Sequence, residues 1–137
     1  MVQLITGLQG SGKTKQLLNT IHEALKTESG SMVCIEKGNT MRFDLDHRVR
    51  LIDASEYPIG TFGFLQGFFS GLHAGNFDIS YIFVDNLYKI AGSSDAAEAE
   101  KFLAWCEKFS NENGLTFVMT VPCDTNPVPQ YLAKYVK

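Results

Sequence analysis

Eight residues near the start of the chain combine three glycines with a lysine and a threonine at fixed spacing. Gly7, Leu8, Gln9, Gly10, Ser11, Gly12, Lys13 and Thr14 match the pattern G-x-x-x-x-G-K-[ST], and Gly10 adds a third glycine. Glycines in this pattern let backbone N–H groups converge on phosphate without a clash from Cβ atoms. We expect this loop to hold the phosphates of ATP or GTP, with Lys13 on the β- and γ-phosphates and Thr14 on Mg²⁺. An ordinary glycine turn is the alternative.

A carboxylate suited to the same metal ion follows an apolar segment in the second half of the chain. Tyr81, Ile82, Phe83 and Val84 form a short β-rich run that ends at Asp85. Open α/β sheets bind their ligands at the carboxyl ends of the strands, and a phosphate loop needs such a carboxylate near its metal. Asp85 is therefore predicted to be the second metal-site residue. The competing interpretation is an aspartate that caps a turn or a helix.

Strands and helices must alternate along the chain to position these two segments. Apolar β-rich runs predict strands at Met1–Thr6, Ser31–Glu36, Val49–Asp53, Tyr81–Val84 and Leu115–Val121. Three- and four-residue apolar spacing predicts helices from Lys13 to about Thr27, from Thr61 to His73 and from Asp95 to Asn113, with two helical turns ending at Lys137. Residues 37–48 are polar and predicted to be an exposed connection. The pattern predicts one α/β domain over 1–137, with about five largely parallel strands flanked by helices.

Composition excludes several classes of protein. The chain has 137 residues, 45% of them hydrophobic, which suits a single core. A net charge of −3 disfavours a general nucleic-acid binder, because such proteins need a basic surface. We expect a cytoplasmic protein without a membrane span, because the start lacks a basic leader and no apolar run reaches about 18 residues. Cys34, Cys106 and Cys123 match neither a metal pattern nor a disulfide framework, and reduced thiols are expected.

The order of these motifs resembles one branch of the P-loop NTPases. A phosphate loop, two strands, an apolar strand with Asp85, a helix and a final strand with a polar residue is similar to RecA-like and thymidine-kinase-like proteins. The segments LITGLQGSGKT and FVMTVP also resemble the ATPase domains of filamentous-phage assembly and zonula occludens toxin-like proteins. The resemblance implies that the last strand lies between the first and the fourth, with Thr120 as a polar sensor near the γ-phosphate. A routine strand threonine is the alternative.

The chain departs from this branch directly after Asp85. Many members place there a glutamate that orients or deprotonates the attacking water, whereas this chain has Asn86. An amide can orient water but is a very poor proton acceptor. The predicted catalytic set is Lys13, Asp85, Asn86 and Thr120. Because Asn86 is a poor proton acceptor, we expect slow turnover unless Glu36 or a partner chain supplies a base.

Other constellations carry weaker signals. Arg42, Arg48 and Arg50 are the only arginines; one of them is a candidate phosphate clamp, but a solvated loop is favoured. The stripe Phe62, Leu65, Phe68, Phe69 and Leu72 is expected to be core packed on the sheet rather than an oligomer contact. The leading functional hypothesis is a slow Mg²⁺-dependent NTPase that acts with a protein partner or as a homo-oligomer. A small nucleoside or nucleotide kinase and a non-catalytic nucleotide switch are the alternatives.

Overall fold

Five parallel strands form the centre of the fold, which a computed structural model describes for residues 1–136. The strands are β1 (Val2–Gly7), β2 (Ser31–Glu36), β3 (Val49–Asp53), β4 (Ile79–Val84) and β5 (Thr116–Pro122). The helices are α1 (Lys13–Thr27), α2 (Phe62–Gly75), α3 (Leu87–Ala91), α4 (Ala96–Asn113) and α5 (Gln130–Ala133), and a short 3-10 turn spans Ala54–Glu56. The predicted α/β class with a parallel sheet flanked by helices is confirmed.

Alternate residues along the strands face two apolar clusters, one on each side of the sheet. On β5, Phe117 and Met119 belong to one cluster, whereas Val118 belongs to the other. Helix α1 packs on the second cluster, while α2 and α4 pack on the first, where Phe69 lies against Phe102 and Phe117. Both faces of the sheet are covered, which explains why the central strands are almost continuously apolar.

The strand order places the candidate functional residues at one edge of the sheet. The order is β1-β5-β4-β2-β3, so β5 lies between β1 and β4, as the resemblance implied. In the register, Ile5 pairs with Thr120 and Val84 pairs with Met119. Because the strands are parallel, the ends of β1, β4 and β5 meet at the same carboxyl edge.

Two parts of the chain differ from the sequence prediction. Helix α3 follows Asn86 directly and was not expected, because five residues are too few to show a periodic apolar face. The predicted C-terminal helix is wrong in extent: α5 ends at Ala133, and Val136 then forms a parallel bridge to Leu4 of β1. Lys137, at which that helix was expected to end, lies outside the described residues.

The stripe predicted on α2 divides between the core and the surface. Phe62, Leu65 and Phe69 are buried, which confirms the core prediction for these three residues. Phe68 and Leu72 are half-buried instead: they pack against the edge of the core cluster and, with the exposed Phe64, line a cavity at the surface. Across residues 1–136, no helix is long and apolar enough to cross a membrane.

Candidate functional site

The loop between β1 and α1 has a backbone that depends on glycine. Gly10 and Gly12 have φ angles of +80° and +88°, a region that side chains with a Cβ atom rarely adopt. Gly12 is the N-cap of α1. Because glycine has no side chain that could accept a hydrogen bond, the first N–H groups of the helix remain available. At Gly7, a Cβ atom would lie 2.5 Å from Ser11 Oγ, because Ser11 folds back over the start of the loop. The loop therefore presents backbone donors and a helix N-terminus at one place, which suits an anion.

The Lys13 side chain folds back over this loop. Its Nζ donates to the Leu8 carbonyl oxygen at 2.7 Å, and the same oxygen accepts from Ser11 N at 3.1 Å. The ammonium group is thus held beside the backbone donors rather than extended into solvent. A positive charge at this position complements phosphate oxygens bound by the loop.

Asp85 connects the loop between β1 and α1 to the neighbouring strands. Its Oδ2 accepts from Thr14 Oγ1 at 3.0 Å, and its Oδ1 accepts from Thr120 Oγ1 at 2.7 Å. Thr120 is 1% exposed, and its hydroxyl also accepts from Asn86 N at 2.7 Å. The single hydroxyl of Thr120 therefore fixes both the Asp85 carboxylate and the backbone that follows it.

These residues line one cavity of about 380 Å³ at the carboxyl edge of the sheet. The lining residues are Gln9, Gly10, Gly12, Lys13, Thr14, Asp85, Asn86 and Thr120. Of the predicted phosphate-loop residues, Gly7, Leu8 and Ser11 are absent from this lining; Leu8 is 58% exposed and lies to one side. Among these lining residues, Lys13 is the one basic side chain, and Asp85 is the one acid.

The oxygen atoms of Thr14 and Asp85 in this cavity suit the coordination of a magnesium ion that also binds phosphate. Mg²⁺ prefers oxygen ligands and is commonly held by one or two protein groups with substrate phosphates and water. Thr14 and Asp85 supply a hydroxyl and a carboxylate in direct contact. Over residues 1–136, no group of three or more His, Cys, Asp or Glu is arranged to hold a metal ion. A magnesium ion at Thr14 and Asp85 would therefore need its remaining ligands from phosphate and water.

Asn86 is held in an unusual backbone conformation. Its φ of 62° and ψ of 75° lie in the left-handed region, where asparagine is tolerated better than most residues. Its Oδ1 accepts weakly from Lys89 N at 3.3 Å and caps α3. Asn86 lines the cavity, but its amide oxygen already serves this cap. The geometry gives it a definite structural role beside the predicted catalytic one.

Glu36, the alternative base, is engaged by the connection that follows β2. The side chain is 4% exposed; Oε1 accepts from Met41 N at 3.1 Å, and Oε2 accepts from Thr40 Oγ1 at 3.1 Å. Both oxygens therefore anchor residues 40–41. Burial, together with the charges of Glu36 and Asp85, raises the pKa of the Cys34 thiol, which stays protonated.

The three arginines lie away from this cavity. Arg48 donates to the carbonyl oxygens of Leu25, Glu28 and Gly30, at the end of α1 opposite the phosphate loop. Arg42 and Arg50 line another cavity together with Asp53 and Glu56. The favoured interpretation was a solvated loop with self-paired charges. The three arginines are exposed, but none forms an ion pair within the described residues, and Arg48 binds backbone carbonyls instead.

Sequence reasoning missed one group of residues beside the phosphate loop. Tyr88 of α3 and Tyr131 of α5 come together across the end of β5, with their hydroxyl oxygens 3.3 Å apart. They are 43 positions apart in the chain, and no local pattern joins them. The unexpected helix α3 is what brings Tyr88 to this place.

Comparison with models of known protein families gives no match, and comparison with curated protein sequences gives none either.

Proposed function

We propose that the protein binds a nucleoside triphosphate with Mg²⁺ at the loop from Gly7 to Thr14 and hydrolyses it slowly. The observation that carries this proposal is the pair of hydrogen bonds that Asp85 accepts from Thr14 and Thr120. They join the phosphate loop, the β4 carboxylate and the β5 hydroxyl around one cavity, although these residues are far apart in sequence. We also propose membership of the RecA-like and thymidine-kinase-like branch of P-loop NTPases, which the position of β5 between β1 and β4 supports.

Each residue has a distinct part in the proposed reaction. The bound Mg²⁺ would neutralise charge on the β- and γ-phosphates. Thr14 and Asp85 would hold this ion, and Thr120 orients Asp85. Lys13 leaves the Leu8 carbonyl oxygen for the phosphates, where its charge stabilises the transferred group.

Two features of the cavity support slow turnover. The described lining residues offer no second cation besides Lys13 to stabilise transition-state charge. They also offer no carboxylate other than Asp85, which the metal site uses, so the attacking water lacks a general base. A partner chain or a second copy could supply either group, and turnover would then depend on that partner.

Steady-state phosphate release tests the proposed rate limitation. Asn86→Asp adds a carboxylate with almost no change of shape, and aspartate also tolerates the left-handed backbone better than most residues. We expect faster release from this variant at saturating ATP and Mg²⁺, because general-base assistance is worth about 10²–10⁴-fold where geometry permits. Asn86→Gly, which keeps the backbone permissive without a carboxylate, is the matched control and should not accelerate release.

The dependence of turnover on protein concentration separates the remaining possibilities. Brisk wild-type release per molecule at every concentration would contradict the proposal that this chain lacks a base. Release per molecule that rises with concentration would indicate completion by a second copy. Nucleotide binding without release under any condition would favour the non-catalytic switch.

A further inference from the structure

A second cavity of about 520 Å³ adjoins the phosphate loop. It is bordered by Leu8 and Gln9 of the loop, by Tyr88 of α3 and by residues between the end of β5 and α5. Gln9 lines both this cavity and the one around Lys13. The two spaces are therefore neighbours, separated by the first half of the loop.

With a nucleotide bound at the loop as proposed above, the second cavity would lie on the side of its terminal phosphate. In a phosphate loop the lysine contacts the β- and γ-phosphates, and Lys13 Nζ is 2.7 Å from the carbonyl oxygen of Leu8, a residue of this second cavity. The metal-site residue Asp85 is followed three positions later by Tyr88, which forms another wall. On the far side, Cys123 N donates to Gly7 O at 3.0 Å and holds the end of β5 against the loop. A molecule in this cavity would thus lie beside the terminal phosphate.

The walls of the cavity suit a ring with a polar edge. Leu8 is 58% exposed although a phosphate loop uses the backbone at this position, so its apolar side chain has no role in phosphate binding. Tyr88 and Tyr131 share one hydrogen bond, which leaves the hydroxyl proton of the accepting tyrosine free for a ligand. Burial and the contact with Tyr131 raise the pKa of Tyr88, so this hydroxyl remains neutral. Mostly apolar walls with a few polar groups are typical of small-molecule sites of this volume.

The charge of the lining disfavours an anionic ligand. Asp124 is its one charged side chain, and no lysine or arginine occurs among these described lining residues. A second phosphate-bearing molecule would meet this carboxylate with no cation among the lining residues, because Lys13 is assigned to the phosphates of the nucleotide.

We propose that this cavity, named here the tyrosine pocket, binds a second small molecule that carries an aromatic ring and no negative charge, beside the terminal phosphate of the nucleotide. The location beside phosphate rests on the proposed function, whereas the preference for a ring without negative charge rests on the pocket itself. The nucleotide and this second molecule are expected to bind together.

Cys123 allows the pocket to be tested without knowing its natural ligand. This half-buried thiol lines the pocket, whereas Cys34 and Cys106 are buried in the core. The full chain is equilibrated with disulfide probes that deliver 2-phenylethanethiol, 2-mercaptoethanesulfonate or cysteamine, over a range of 2-mercaptoethanol concentrations. Intact mass then gives the fraction of protein modified at Cys123 by the neutral aromatic, the anionic and the cationic group.

We expect that about ten-fold more 2-mercaptoethanol is needed to release half of the phenylethyl group from Cys123 than to release half of either charged group. A ten-fold difference in this equilibrium corresponds to about 1.4 kcal/mol. Leu8→Ala should remove most of this preference, and its exposed position leaves folding intact. Phe43→Ala, which truncates an exposed aromatic residue outside the pocket, is the matched control and should keep the preference. Equal retention of all three groups, or an unchanged preference in Leu8→Ala, would overturn the proposal.

A second arm repeats the phenylethyl titration with Mg²⁺ and a non-hydrolysable ATP analogue. Retention of the ring with the analogue bound supports a second-molecule site. Displacement of the ring by the analogue would overturn it, because the pocket would then hold the base of the nucleotide itself. Calorimetric binding of the analogue is measured separately, so that a protein that selects the ring but does not bind the analogue would refute the proposed function alone.

Discussion

At the scale of single residues, the buried hydroxyl of Thr120 donates one hydrogen bond and accepts another at the same time. It donates to Asp85 Oδ1 and accepts from Asn86 N, and both distances are 2.7 Å. Thr120→Val keeps the shape but removes both hydrogen bonds and leaves a partly buried N–H group without this partner. We expect a loss of about 1–3 kcal/mol in the free energy of unfolding, together with weaker Mg²⁺ dependence of nucleotide binding. Urea unfolding and a Mg²⁺ titration measure the two effects.

Two further variants separate the loss of the hydroxyl from a general effect on β5. Thr120→Ser retains the hydroxyl and should recover most of the Mg²⁺ dependence. Thr116→Val, on the same strand but away from the cavity, should change neither measurement appreciably. Wild-type behaviour of Thr120→Val would show that this contact does not orient Asp85.

Glu36 offers a second test at the residue scale. Its two oxygens accept from Thr40 Oγ1 and Met41 N, which indicates that it anchors the connection after β2 rather than acting on water. Glu36→Gln should therefore lower stability by about 1 kcal/mol and leave phosphate release per molecule nearly unchanged. Wild-type stability with a collapse in phosphate release would instead identify Glu36 as the missing base.

At the scale of elements, one helical glycine could be replaced by alanine without a clash, whereas a glycine at the end of another helix could not. Gly67 lies inside α2, and a Cβ atom there would meet no side chain and no other element within 4 Å, so the fold itself does not require glycine. Gly92 ends α3 with a φ of +67°, and a Cβ atom would lie 2.8 Å from the Gly60 carbonyl oxygen. Gly67→Ala should raise the free energy of unfolding by about 0.5–1 kcal/mol, whereas Gly92→Ala should lower it by at least that amount. Thermal and urea unfolding of the two variants provide the comparison, and a destabilised Gly67→Ala would show that α2 has an unrecognised close contact.

Elements with strong local signals could be predicted from the sequence. Helix α1 spans Lys13–Thr27 and β2 spans Ser31–Glu36, both at the predicted residues, because apolar periodicity and flanking glycines define them locally. Helix α3 could not be found in this way, since it has five residues and begins after an asparagine with positive φ. The C-terminal segment was predicted as helix, yet its last described residue pairs with Leu4, a contact that no local pattern encodes.

The candidate site was predictable in the same uneven way. The glycine-dependent loop over Gly7–Thr14 and the place of Asp85 beside it could be predicted from residue types and spacing. The neighbouring position of Thr120 required the insertion of β5 between β1 and β4, which came from the family resemblance and which the strand order confirms. The tyrosine pocket was not foreseen, because Tyr88 and Tyr131 meet only through the packing of two short helices beside β5.

At the scale of the whole molecule, the apolar residues that stabilise the fold lie apart from the residues proposed to bind nucleotide. Two apolar clusters cover the faces of the sheet, whereas the residues of the candidate site lie along its carboxyl edge. Ligand binding at this edge should stabilise the folded protein, by about 2.7 kcal/mol at a ligand concentration about 100 times the dissociation constant. A bound nucleotide should therefore raise the unfolding temperature of the complete chain.

Calorimetric titration of the complete chain with a non-hydrolysable ATP analogue and Mg²⁺ tests the central claim most directly. We predict saturable binding to the wild type that weakens without Mg²⁺, and a loss of about 1.5–3 kcal/mol in Lys13→Ala, because a charge-assisted contact to phosphate is removed. Lys26→Ala, which removes an exposed lysine from the opposite end of the same helix, should bind like the wild type. Equal affinity in the wild type and Lys13→Ala would contradict the account, as would the absence of binding to the wild type.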